Sequence, residues 1–171
     1  MNRIAKLSFL ILFVSAFSQT SAQTTNYQVH SLFVINIAKY STWPSHTGEF
    51  TVTVFGKSKI YDELVKNSAG KNINNLPIKI KQIEDLSQIE TPQIIYLAEG
   101  KSSSLDDVLK ATAGKSIMII AEREGLFKKG AGFSFVIMDN NTLRYDINNS
   151  ELEKRQIKIS KNLSALANEV L

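Results

Sequence analysis

Residues 93–121 read QIIYLAEGKSSSLDDVLKATAGKSIMIIA, and this stretch decides the fold. It holds two short apolar runs, Gln93 to Ala98 and Ser116 to Ala121, with a helical pattern between them. Continuous apolar runs of this length suit strands covered on both faces by helices. From Ser103 to Thr112, Leu105, Val108 and Leu109 fall on one side, and Asp106 and Asp107 stand in the first turn, where the helix dipole favours acids. A strand, a helix and a strand in that order predict a right-handed parallel crossover. The fold class that follows is α/β: a mixed sheet with parallel crossovers and helices on both faces.

Working outward, Phe50 to Phe55 (FTVTVF) alternates bulky residues with Thr and predicts a strand. A helix is expected from Ile60 to Ala69, with Ile60, Leu64 and Val65 inward and Gly70 as its left-handed cap. Pro77 to Ile83 sets Ile78 and Ile80 against Lys79 and Lys81, which suits the edge of a sheet. Downstream, Gly132 to Met138 and Thr142 to Asn148 flank the turn-rich Asp139-Asn140-Asn141 and predict an antiparallel hairpin. Ser150-Glu151-Leu152-Glu153 has the form of a capping box. Ile157 and Ile159 suggest a brief extended piece, and Leu163, Leu166, Ala167 and Val170 a terminal helix. No repeat, low-complexity tract or linker interrupts this order, so a single domain over residues 23–171 accounts for it.

Ahead of the first strand, Tyr27 to Pro44 (YQVHSLFVINIAKYSTWP) reads as one helix stopped by Trp43-Pro44. At 100° per residue, Val29, Leu32, Phe33, Tyr40 and Trp43 gather on one face with Asn36 among them. Asn36 is then either a core amide bonded to a neighbouring backbone or a contact to a ligand or partner, with Lys39 and Trp43 beside it. Lys39 can equally extend its ammonium to water, and Trp43 can serve as a packing anchor. Val34 and Ile35 point away from this stripe, so at least one of them is expected to be exposed or to meet another protein.

The chain has 171 residues, no cysteine and a formal net charge of +4. Residues 1–22 read as a secretory signal peptide: Arg3 and Lys6, then the apolar run Leu7 to Phe17, then Thr20-Ser21-Ala22. The apolar run is shorter than the roughly 20 residues a membrane-spanning helix needs. Without Arg3 and Lys6 the formal charge is +2, and no basic block alternates with aromatics, so nucleic acid is not an expected partner. An exported chain without cysteine holds together by burial alone, which a domain of about 150 residues can do.

Catalytic and metal motifs are missing. His30 and His46 are the two histidines, and neither sits in a metal-binding spacing, so no metal or cofactor is expected. No GxSxG elbow occurs. Gly130-Ala131-Gly132 precedes a strand instead of opening a helix, which explains it as a sharp turn and not a phosphate loop. Glu122 follows the second apolar run, at the strand end where α/β proteins often bind ligands; its alternative is a solvated loop charge.

Several segments together resemble the YfiR family of exported bacterial proteins. Asn36-Ile37-Ala38-Lys39-Tyr40-Ser41-Thr42-Trp43-Pro44 is similar to the family's N-[FI]-A-K-Y-x-x-W-P, and Gly130-Ala131-Gly132-Phe133-Ser134-Phe135 to its G-x-G-I-N-F. Arg144-Tyr145-Asp146-Ile147-Asn148 and the Ile159 to Ala167 segment are similar to two later motifs, and the four occur in the family's order. Ser134 replaces the usual Asn, and the cysteines of some members are absent, so their redox control does not carry over. The resemblance implies a periplasmic, non-enzymatic protein, dimeric in the defining cases. It would bind the periplasmic part of an inner-membrane diguanylate cyclase, hold it inactive and so lower cyclic di-GMP; a sensor kinase is an equally compatible target. The alternative is a small-molecule-binding module for sensing or uptake, with a pocket between the first helix and the strand ends near Ala98–Gly100 and Glu122. A hydrolase is the remaining option and lacks a motif.

Overall fold

The computed structural model describes residues 26–44 and 47–171. The expected signal peptide and His46 fall outside the described residues. Helix α1 (Tyr27–Lys39) is followed by the short β1 (Ser41–Thr42), β2 (Phe50–Phe55), α2 (Ile60–Ser68), β3 (Asn72–Ile73) and β4 (Leu76–Ile83). Then come β5 (Ile94–Leu97), α3 (Leu105–Ala111), β6 (Met118–Ala121), β7 (Phe133–Ile137) and β8 (Leu143–Ile147). The chain ends with α4 (Asn149–Lys154), β9 (Lys158–Ile159) and α5 (Lys161–Leu166).

Seven strands form one sheet in the order β3-β4-β2-β5-β6-β7-β8. β4, β2, β5, β6 and β7 run parallel, while β3 and β8 pair antiparallel at the two edges. The crossover expected from residues 93–121 is present, with Ile94 opposite Met118 and Leu97 opposite Ala121. A separate two-stranded ladder joins β1 to β9, Ser41 opposite Ile159.

Side chains alternate across the sheet, so each strand feeds two cores. Val52, Val54, Ile94, Tyr96, Met118, Ile120, Phe133 and Phe135 lie on the face covered by α1, where they meet Val34, Ile37 and Ala38. Phe55, Ile95, Leu97, Ile119 and Ala121 lie on the opposite face against Leu105 and Val108 of α3. Helices on both faces explain why β5 and β6 are buried at every position.

The first helix differs from its sequence reading in two respects. It ends at Lys39, and Ser41–Thr42 is extended, because the Ser160 N–H donates to the Tyr40 carbonyl and draws the chain into the β1–β9 ladder. It is also rotated: His30, Ser31, Val34, Ile37 and Ala38 are buried, whereas Leu32, Asn36, Lys39 and Tyr40 are exposed. Asn36 is therefore not a core amide. Leu32 and Tyr40 stand among the polar Gln28, Asn36 and Lys39 on the outer side, so the apolar residues alone name no single face, and Val34, Ile37 and Ala38, with His30 and Ser31, are the ones that fit inward.

Other departures are local. Val65 is 44% exposed, since only Ile60, Leu64 and Ser68 of α2 face inward. The cap of α4 is Asn148, whose side chain accepts from the Glu151 N–H, and not Ser150. The terminal helix stops at Leu166. Beyond it the chain runs extended beside β8, with the Ile147 N–H donating to the Glu169 carbonyl and the Leu171 N–H to the Ile147 carbonyl. Val170 is consequently 48% exposed and not in a helical stripe. Gly70 (φ 69°) and the Met138–Asn141 turn are as expected.

Candidate functional site

The order β4-β2-β5 reverses direction between β2 and β5, and in open α/β sheets ligands bind outside the carboxyl ends of the strands near such a switch. Here the switch itself is filled. Gly56, at φ 101°, leaves room for Lys101: a Cβ at Gly56 would stand 2.6 Å from the Lys101 side chain. The Lys101 ammonium in turn donates to the Glu84 carbonyl at 2.9 Å.

One strand further along, beyond the ends of β5, β6 and β7, an open cleft of about 400 Å³ lies under the start of α1. Its inner wall is Tyr27, His30, Phe135 and Glu122. Glu122 follows Ala121 directly and shares a sheet face with Met118 and Ile120, so its carboxylate turns inward under α1 and is only 9% exposed. Three donors hold it: the Glu99 N–H at 3.0 Å and the hydroxyls of Tyr27 and Tyr96. Burial raises the Glu122 pKa above its ordinary value of 4.5, and these three hydrogen bonds oppose the rise.

Behind Glu122 the network continues into the core. Tyr96 is fully buried, and its hydroxyl lies 3.3 Å from His30 Nδ1. A Tyr96 hydroxyl that donates to Glu122 would accept from Nδ1–H, and Nε2 would then be left as an acceptor. Burial lowers the His30 pKa to about 4, so the imidazole is neutral at physiological pH. His30 packs against Phe135 with ring centroids 4.6 Å apart and planes tilted by 57°, and lies 6.0 Å from Tyr27. On the rim stand Glu99, Arg123 and Glu124, where Arg123 approaches Glu99 at 3.8 Å.

The six sequence candidates thus fall in different places. Glu122 is in the cleft and is not a solvated loop charge. Asn36 and Lys39 are on the outer face of α1, Lys39 lying 5.7 Å over the Tyr40 ring. Ile35 is half-buried beside the main core, and Val34 is fully buried, which leaves Ile35 alone of that pair able to reach a partner. Trp43 packs edge-on to Phe50 at 5.0 Å, at the amino end of the sheet. Tyr27, His30, Tyr96 and Phe135 were not foreseen in the sequence. One signal was available for Tyr96: a Tyr inside a fully buried run needs a partner for its hydroxyl.

Among the described residues no group of three or more His, Cys, Asp and Glu could hold a metal ion, and no helix is long and apolar enough to cross a membrane. No curated protein sequence matches the chain. Among solved structures it is similar to the ABC domain in complex with L-Trp from Streptococcus pneumonia, at 10% identity and a TM-score of 0.57, covering 85% of this chain and 60% of that one. It is also similar to a conserved domain protein from Vibrio cholerae O1 biovar El Tor, at 12% identity and a TM-score of 0.54, covering 86% and 60%. The chain spans about three fifths of the length of these structures, and at such identities the likeness concerns the fold alone. The family model DUF4154, described as YfiR/HmsC-like, matches residues 27–168, from the first turn of α1 to just past α5, and the chain belongs to that family.

Proposed function

We propose that this protein is a periplasmic, non-enzymatic regulator that binds the periplasmic part of an inner-membrane signalling enzyme, a diguanylate cyclase or a sensor kinase, and represses it. The observation that carries this reading is the family match over residues 27–168. The leader-like residues 1–22 support export. Repression is a linkage effect: the protein binds the inactive state of its target more tightly than the active one. The docking face we favour is the outer side of α1, where Leu32 (40% exposed) and Tyr40 (47% exposed) flank Asn36 and Lys39, with Ile35 and Trp43 at its margins. A homodimer is the expected working form.

Deleting the gene and measuring cytoplasmic cyclic di-GMP tests the cyclase form of this reading. The expected result is a rise that the wild-type chain reverses and that an exported, folded L32E/Y40E variant does not reverse. Unchanged cyclic di-GMP, together with no signalling protein recovered with the chain from solubilised membranes, overturns the reading.

One observation favours a second reading, a small-molecule-binding module for sensing or uptake. The cleft beside Glu122 has the volume of a ligand site and polar groups converging on its floor. The two readings are compatible if occupancy of the cleft alters the hold on the target.

A further inference from the structure

We propose that the cleft between the start of α1 and the carboxyl ends of β5, β6 and β7 binds a small organic ammonium compound, its cationic nitrogen against Glu122 and its apolar body against Tyr27, His30 and Phe135. The proposal deepens the second reading above and rests on it.

Four features select this class of ligand. An ionised carboxylate offers about four acceptor sites. The Glu99 N–H occupies one and the Tyr27 and Tyr96 hydroxyls engage the same carboxylate, which leaves acceptor capacity for an N–H from the cleft. No cationic side chain comes within ion-pair distance of Glu122 among the described residues, so its charge is compensated by neutral donors only. The remaining charge at the cleft is also mainly negative: Glu99 and Glu124 stand against one guanidinium, Arg123, which Glu99 already engages. An anion would meet repulsion there, and an ammonium would not.

The aromatic wall supplies the rest. Tyr27, His30 and Phe135 form a continuous cluster, with His30 4.6 Å from Phe135 and 6.0 Å from Tyr27. Electron-rich ring faces attract cations and accept flat apolar groups. The imidazole adds no positive charge because burial keeps it neutral, and hydrogen bonding to Tyr96 holds its ring in place. The space of about 400 Å³ suits a molecule of amino-acid or aryl-amine size and is too small for a folded partner.

The test uses the purified chain and three probes that share a phenethyl body: phenethylamine, 2-phenylethanol and 3-phenylpropanoate, each titrated by calorimetry at pH 7.5. Phenethylamine is expected to bind at least tenfold more tightly than the alcohol, and the carboxylate most weakly. In Glu122→Gln the preference for the amine over the alcohol should collapse to within about twofold, while binding of the alcohol is retained. The wild-type ranking needs no variant, so the proposal can be decided even if Glu122→Gln folds poorly. Equal affinities for the three probes would overturn the ammonium assignment and leave the cleft as a ligand site. If no probe binds at millimolar concentration and none shifts the amide resonances of Glu99 or Glu122, the assignment and the ligand-site reading fall together.

Discussion

The two ends of the sheet are built from different chemistry, although one helix spans both. At the carboxyl end, under the start of α1, the buried polar groups are ionisable: Glu122, Tyr96 and His30. At the amino end, beyond the last turn of α1, they are neutral except for Arg155, whose guanidinium is engaged by the Thr112 and Ile117 carbonyls and by the Glu151 carboxylate. Gln93 is 4% exposed and accepts from the Thr51 N–H through Oε1 at 2.6 Å, and the Ser41 hydroxyl donates to the Ile37 carbonyl at 2.6 Å. A smaller cleft of about 250 Å³ there is lined by Trp43, Gln93 and Ser116 with Lys115 as its one charged group. Neutral amides and hydroxyls close a sheet end at little electrostatic cost, whereas buried ionisable groups lower stability unless they are fully paired. A fold that needs only closure uses the first kind. Arg155 at the amino end is paired with a carboxylate, whereas Glu122 at the carboxyl end has no ion-pair partner among the described residues, and that difference is what singles out the carboxyl end as the candidate site.

The largest effect expected from breaking this contrast is at the amino end. Trp43→Ala removes the edge-on packing on Phe50 and should cost about 3 kcal/mol in urea unfolding, since large aromatic truncations cost ~3–5 kcal/mol when fully buried and Trp43 is partly exposed. Phenethylamine binding by the folded fraction should be unchanged, because Trp43 is at the far end of α1.

The carboxyl end should be sensed through pH. Unfolded, His30 takes up a proton at about 6.5; folded, it does so at about 4. Between these values the unfolded chain binds more protons, so this contribution to stability is complete above pH 6.5 and is lost as pH falls toward 4. At 1.36 kcal/mol per unit, the loss is at most about 3 kcal/mol. His30→Phe should abolish that acid loss in unfolding curves collected across the window. Glu122 has the opposite sign. Burial raises its folded pKa above 4.5, so its folded form takes up the proton first, which favours folding as pH falls and disfavours it as pH rises through the folded pKa. Glu122→Gln should therefore make the acid loss steeper than in the wild type. Equal acid profiles for the wild type and both variants would mean that these groups do not distinguish the carboxyl end.

The smallest effect concerns the outer face of α1, which belongs to neither end. Asn36→Ala should change stability by less than about 0.5 kcal/mol, as exposed substitutions do. A loss of roughly 1–3 kcal/mol would instead indicate the buried amide that the hydrophobic pattern suggested.

That contrast also explains what was legible in the sequence. Strands β5 and β6, the crossover α3 and the β7–β8 hairpin were readable because each is specified by a short, local pattern. The orientation of α1 was not. Val29, Leu32 and Phe33 are as apolar as Val34, Ile37 and Ala38, and only packing of the latter three into the core decides between the two faces, with Phe33 at the margin against Phe135 and Tyr145. Glu122 was placed correctly at a strand end, but its burial depends on Tyr27 and Tyr96, 95 and 26 residues earlier in the chain. Of the β1–β9 ladder only the extended piece at Ile157 and Ile159 was legible; its pairing with Ser41–Thr42 was not, because a two-residue strand has no periodicity to detect.

That ladder has a kinetic consequence. Ser41 and Ile159 lie on opposite sides of the main sheet in chain order, so pairing them closes nearly the whole described chain into one loop. Loop closure becomes costlier with length, and such contacts form after local ones are in place. The ladder is then a clasp expected to close late, after the folding transition state. Ile159→Ala should accelerate unfolding in a chevron plot and leave the refolding rate almost unchanged. The protein would reach its native topology without the clasp and would leave it sooner, so this short ladder sets how long the folded state lasts and not how fast it is reached.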